Sequence, residues 1–158
     1  MAMRGETSEK ANKELVRRVQ YDTYTGEEDL DVIDELMSNE FVQHDPSAGD
    51  VYGPDGFRED VETWQNAFSN ITATIHRMIG EGDLVASHYT VCGIHEGPIP
   101  DLDLEPTGEE FEIEGWEFDR IENGKLVETW HMIDTLGLLQ QLGALPEEGS
   151  TSSDDLSE

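Results

Sequence analysis

Five histidines, a lone cysteine and a large surplus of carboxylates are the side chains of this chain that could do chemistry. His44, His76, His88, His95 and His131 show no metal-ligand spacing: there is no H-x-x-x-H and no HExxH, and only Cys92 offers a thiolate. No GxGxxG or Walker loop is present to cradle a phosphate. The expectation is therefore a site with no metal and no cofactor. Cys92 has no placed base and reads as a small buried hydrophobe. Lys125 falls in a turn, too exposed for a desolvated Schiff-base amine. Three kinds of candidate remain. Arg120 and His131 lie on one strand face, where Arg120 either holds a carbonyl or carboxylate or forms a structural ion pair. His44 ends a strand before Asp45-Pro46, either as a contact at a pocket mouth or as a histidine bonded to a loop. Asp134 ends the last strand, a position where aspartate also caps helices.

The elements that must position these groups centre on Phe111 to Gly143. Asn123-Gly124 is a hairpin signal, because both central residues of a type I′ turn need positive φ. A two-residue loop then predicts the pairs Glu122–Lys125, Arg120–Val127, Phe118–Thr129 and Trp116–His131. One face carries Trp116, Phe118, Arg120, Val127, Thr129, His131 and Ile133. The other carries Glu117, Asp119, Ile121, Leu126, Glu128, Trp130 and Met132. Asp119 opposite Glu128 would be a like-charge pair, so the first face is expected inside and the second wet. A bulge would invert part of this assignment.

Upstream, apolar spacing predicts a helix from a cap at Thr7 or Ser8 to about Tyr24, a second from Leu30 to Met37, and a third from Pro54 to Phe68. Phe57, Val61, Trp64 and Phe68 form the inward stripe of the third. Strands are expected over 40–44, 71–79 and 84–95, with Ile71, Ala73, Ile75 and Ile79 on one face. In the last of these, period 2 sets Val85, Ser87, Tyr89, Val91 and His95 against His88 and its neighbours. A long loop follows to Glu110, and a closing helix runs from Thr135 to Leu142. Residues 1–9 are expected to be frayed, 10–146 to form the domain, and 147–158 to be a disordered acidic tail.

Several runs together resemble the SnoaL-like polyketide cyclases, the ester cyclases of the NTF2-like superfamily. They are GKLVETWHMIDTLGLLQQLGALP with Pro106-Thr107-Gly108 upstream, NKELVRR, DVIDELMSNEFVQHDP, GPDGF and EGDLVASHYTVCGIHEG. The resemblance spans about Asn12 to Pro146. It implies an α+β fold in which a curved antiparallel sheet wraps into a cone around a pocket covered by N-terminal helices. It implies a cofactor-independent intramolecular aldol closure of a carbonyl ester, with the aspartate of the W-x-x-x-D run, here Trp130 and Asp134, as general acid/base. It also implies that His44, Trp64, His95, Trp116, Arg120 and His131 contact a small apolar or carbonyl ligand. Two non-catalytic alternatives stay open: a binding pocket for an apolar metabolite, and an oligomerisation domain with a vestigial cavity.

Composition narrows the partners. With 37 acidic and 9 basic residues the formal charge is −28. Nucleic acid and anionic membrane surfaces are not expected partners, because both are bound through Lys and Arg. No apolar run is long enough to cross a bilayer and the N-terminal segment lacks a signal-peptide core, so a cytoplasmic protein is expected. The spread of acids and the three lysines suit a salt-rich cytoplasm, where counterions screen self-repulsion. Trp130 and Met132 on an acidic face point to a homodimer through the sheet.

Overall fold

The computed structural model describes residues 2–145; the expected tail over 147–158 lies outside the described residues. Six strands form one sheet: β1 (Met37–His44), β2 (Val51–Tyr52), β3 (Phe68–Glu81), β4 (Leu84–His95), β5 (Glu110–Glu122) and β6 (Lys125–Ile133), in the order β2-β1-β6-β5-β4-β3. Neighbours run antiparallel except β1 and β6, which are parallel. The fold is thus α+β, a curved sheet with helices laid across it.

The first helix, α1 (Ala2–Val16), begins earlier than a cap at Thr7 or Ser8 would allow. It continues as one wider, π-helical stretch, Arg17–Asp22, and then α2 (Thr23–Thr25). The wide turn buries three consecutive residues, Val19, Gln20 and Tyr21, against the sheet. Gly26, at φ +86°, supplies the left-handed residue that ends the segment. After α3 (Asp31–Leu36) and β1–β2 comes α4 (Gly53–Ala67), with Pro54 in its first turn and Phe57 and Val61 fully buried. α1 packs on β3, β4 and β6, and α4 on β1, β2 and β3, so the two close the concave side. The main core joins Val16, Val19, Ile33, Met37, Phe41, Phe57, Val61, Val85 and Leu126. Burying each such side chain contributes about 1.5–3 kcal/mol.

Bulges decide which side chains reach the interior, and two of them change faces expected from the sequence. The Asn123-Gly124 turn and the Glu122–Lys125 pair form as expected. Val127 then has no partner, and the register shifts: Arg120 pairs with Glu128, Asp119 with Thr129, Phe118 with Trp130, Glu117 with His131 and Trp116 with Met132. Asp119 consequently avoids Glu128, and the repulsion that argued for a wet face does not arise. β5 buries Phe111, Ile113, Gly115, Glu117, Asp119 and Ile121 in strict alternation. On β5 the face expected inside is outside, with Trp116 48% and Phe118 56% exposed beside Trp130 and Met132, whereas on β6 Thr129, His131 and Ile133 of that face stay inside. Gly115 helps set this phase. A Cβ there would stand 2.4 Å from Cζ of Tyr89, so no larger residue fits that inward position. A second shift, at His76, turns Met78 toward the core and leaves Ile79 63% exposed, against the expected Ile71–Ile79 face.

Candidate active site

A cavity of about 50 Å³ lies between the concave face of the sheet and the helices. That is room for about three waters. Its apolar wall is Trp64, Ile71, Val91, Ile113 and Ile133; its polar wall is Tyr24, Asp60, Tyr89, Glu117 and His131. Four lining residues, Tyr21, Thr25, Ile71 and Ala73, also line a surface groove of about 370 Å³ between the π-helical segment and β3. These four side chains separate the cavity from that groove. α4 brings Asp60 and Trp64 to the wall one turn apart, β5 brings Glu117, and β6 brings His131 past the Val127 bulge.

The polar wall is a chain of close contacts. The Tyr24 hydroxyl donates to Asp60 Oδ2 at 2.6 Å. His131 Nε2 is 3.5 Å from Asp45 Oδ2, and its Nδ1 is 3.4 Å from the Tyr89 hydroxyl and 3.8 Å from Glu117 Oε1. A proton on Nε2, toward Asp45, leaves Nδ1 to accept from Tyr89. Burial lowers the His131 pKa, although Asp45, Asp60 and Asp119 pull it back up, and the ring is neutral near pH 7. Burial pushes the Glu117 carboxyl up to about 7 and holds Asp60 above the usual carboxylate range. Tyr24 and Tyr89, buried among acids, are held well above 10 and stay protonated donors. Among the described residues Glu117 Oε2 has no hydrogen-bond partner. A buried carboxyl that titrates near neutrality, beside a neutral imidazole and two phenols, is equipped to take up and return a proton.

The SnoaL-like polyketide cyclase family model matches residues 14–142. The chain belongs to that family. A SnoaL-like protein from Jannaschia sp. CCS1 superposes with a TM-score of 0.76 at 23% identity, over 87% of this chain and 95% of the other. IdmH from Streptomyces antibioticus, a candidate polyketide cyclase, gives 0.71 at 28% identity, over 84% and 98%. A protein with a ketosteroid isomerase-like fold from Catenulispora acidiphila gives 0.68 at 16% identity, over 82% and 92%. Comparison with curated proteins gives no match.

In this SnoaL-like chain the site residues expected from sequence divide. Trp64 and His131 line the cavity. His95 is buried elsewhere, beside Phe68, with its Nδ1 accepting from the Thr107 hydroxyl and amide. It ties the 95–110 loop to the strand. His44, Trp116 and Arg120 belong to the outer face. His44 bridges Glu128 at 2.7 Å and Asp50 at 3.4 Å, Trp116 stacks on His88, and Arg120 pairs with Glu122 and Glu128 at 2.9 and 3.1 Å. The ion-pair reading of Arg120 is the one the geometry matches. Asp134 is exposed, and its Oδ1 accepts from Gly137 N at 2.9 Å as the N-cap of α5 (Thr135–Gln141). It lines an outer groove and not the interior cavity. Tyr24, Asp60, Tyr89 and Glu117 were not singled out by sequence reasoning. A signal for Glu117 existed: Phe111, Ile113 and Ile121 share its parity on β5.

Among the described residues no helix is long and apolar enough to cross a membrane, and no three His, Cys, Asp or Glu are grouped to hold a metal ion.

Proposed function

We propose that the cavity carries out cofactor-independent acid–base catalysis at carbon beside a carbonyl, of the ring-closing type, with Glu117 rather than Asp134 as the acid/base. The observation that supports this is Glu117 itself: buried, on the cavity wall, tuned to about 7, and with Oε2 unpartnered. A group whose pKa sits near the working pH is both a usable base and a usable acid. Family membership supports the ring-closing class.

The steps follow from the wall. Glu117 removes a proton from carbon next to a carbonyl, and the Tyr89 or Tyr24 hydroxyl turns from His131 or Asp60 to donate to the enolate oxygen. The carbanion attacks a second carbonyl of the same molecule, forming the carbon–carbon bond. Protonated Glu117 then returns its proton to the new alkoxide. His131, held by Asp45 and Tyr89, fixes the Tyr89 hydroxyl beside Glu117. Because the cavity holds only about 50 Å³, the reacting carbons sit inside and the rest of the ligand lies in the groove past Tyr21 and Ile71. That groove carries Asp22 and Glu27 against Arg17, which favours an uncharged substrate such as an ester over a free acid. We further propose that the protein works as a homodimer through its outer sheet face, in a salt-rich cytoplasm.

The test is hydrogen–deuterium exchange at the acidic carbon of a 1,3-ketoester, followed by NMR. Glu117→Gln should slow enzyme-dependent exchange by about 10²–10⁴-fold, the usual worth of a positioned acid/base. Asp134→Asn should leave it unchanged. The reverse pattern returns the role to Asp134. Ligand binding without exchange in the wild-type protein favours a metabolite-binding pocket.

A further inference from the structure

Glu117 and Asp119 stand two residues apart on β5 and so share its inward face. They are 4% and 0% exposed. Asp119 Oδ1 accepts from Thr129 Oγ1 at 2.6 Å and from Gln20 Nε2 at 3.2 Å. Among the described residues its other oxygen, Oδ2, has no partner, and neither does Glu117 Oε2. Among the described residues no Lys or Arg pairs with either carboxyl; the nearest basic atom is His131 Nδ1, 3.8 Å from Glu117 Oε1. The groups that face the pair are Tyr21 from the π-helical segment, Tyr89 from β4 and His131 from β6, with Asp60 of α4 and Asp45 beyond β1 on the far side of His131. None of them is a cation near pH 7.

Two adjacent carboxylates in a dry site without a cation cannot both be ionised. We propose that Glu117 and Asp119 hold one proton between them in the resting protein, with Asp119 as the proton-bearing positioning residue and Glu117 as the carboxylate that meets the cavity. The inference rests on the reading of Glu117 as acid/base and adds the group that makes it one. It accounts for both orphaned oxygens, because a proton between the carboxyls partners Glu117 and Asp119 with each other. The directions of their pKa values agree. Burial and then the Glu117 charge hold Asp119 well above its usual range, while the hydrogen bond from Asp119 draws Glu117 back down.

The arrangement has a mechanistic consequence. Without the Asp119 proton, Glu117 would carry its charge beside another charge and would stay protonated at neutral pH, useless as a base. With it, Glu117 is an ionised but poorly solvated acceptor. Taking a proton from the substrate carbon leaves two neutral acids in a dry site, and returning that proton to the alkoxide restores the starting state. Asp119 keeps its own proton throughout, so no exchange with bulk water is needed within a turnover. The ligands of Asp119, Thr129 and Gln20, are both donors to Oδ1, which leaves Oδ2 as the oxygen to carry that proton.

Infrared spectroscopy in H₂O and D₂O tests this without any substrate. At about pH 8, where ordinary carboxyl groups are ionised, the wild-type protein should show one deuterium-sensitive band of a protonated, buried carboxyl. Asp119→Asn should abolish the band while its amide still donates to Glu117, and Glu117→Gln should keep it. No band in the wild-type protein at that pH overturns the proposal, and needs no variant to do so. A band that survives in Asp119→Asn but vanishes in Glu117→Gln overturns the assignment of the proton to Asp119, and one that survives in both assigns it to another group. These readouts are independent of turnover, so failure of the acid/base reading and failure of the shared proton are told apart.

Discussion

Glu117→Gln should make the protein more stable at alkaline pH and leave it little changed at acid pH. The Glu117 carboxyl is displaced from an ordinary 4.5 to about 7 by burial. Folding therefore favours its protonated form. The stabilisation is complete below the unfolded value of 4.5, declines as pH rises, and is lost above about 7. At about 1.36 kcal/mol per pKa unit, the wild-type protein gives up roughly 3 kcal/mol across that window. Glutamine imitates the neutral acid at every pH and gives up nothing there. Urea unfolding followed by circular dichroism, at about pH 4.5 and about pH 8 in concentrated KCl, reads the difference, with every carboxylate except the coupled Asp119 common to both proteins. The variant should gain about 3 kcal/mol on the wild type between the two conditions, a large part of a typical 5–15 kcal/mol total. A gap that does not change with pH, or a wild type that is the more stable protein at pH 8, refutes the claim that Glu117 is buried as a strained acid. The same substitution that removes exchange activity would then be a stabilising one, the usual relation between a working site and its fold.

Asp134→Ala should lower stability by about 1 kcal/mol through loss of the cap bond to Gly137, and Asp134→Asn by almost nothing, as thermal melts would show. Gly115→Ala places a Cβ 2.4 Å from the Tyr89 ring and should cost about 1–3 kcal/mol, visible as a lower melting temperature. Exchanging Trp116 and Phe118 for glutamate should shift sedimentation at high salt from dimer to monomer mass; monomer already in the wild type removes the dimer proposal. With −28 formal charge, the melting midpoint should rise steeply from low to multimolar KCl, and a flat response would show that carboxylate repulsion does not limit the fold.

Much of the frame was legible because it is written in local rules. The Asn123-Gly124 turn, the inward set Val85, Ser87, Tyr89 and His95 on β4, and the Phe57–Val61–Trp64 stripe of α4 all follow from turn chemistry and period. The hairpin faces did not follow, because a bulge carries no signature in a run such as Lys125-Leu126-Val127. Two apolar sets of opposite parity compete on β5, Phe111, Ile113 and Ile121 against Trp116 and Phe118. The steric demand of Tyr89 on Gly115, which favours the first, is a long-range contact. Glu117 and Asp60 were hidden for another reason. In a chain with 37 acids, one more carboxylate draws no attention, and only burial distinguishes it. His131 was placed on the correct side and Asp134 at the correct boundary. Charge repulsion was the argument that misled, since it presumed an unbroken register.

Val127 touches none of the chemistry and yet determines it. Upstream of it the hairpin counts in one phase, and downstream it counts in the other, so that Leu126 and Thr129 both point inward. Deleting that one residue would force a choice between keeping the ladder and keeping His131 inside. If the ladder won, Trp130 and Met132 would enter the cone, and the imidazole would swing to the surface. The inner and outer faces of this cone are thus separated by a single codon's length. A lineage could exchange a reactive wall for a greasy one, and a contact surface for a charged one, by an insertion or deletion at a hairpin without a single amino-acid substitution.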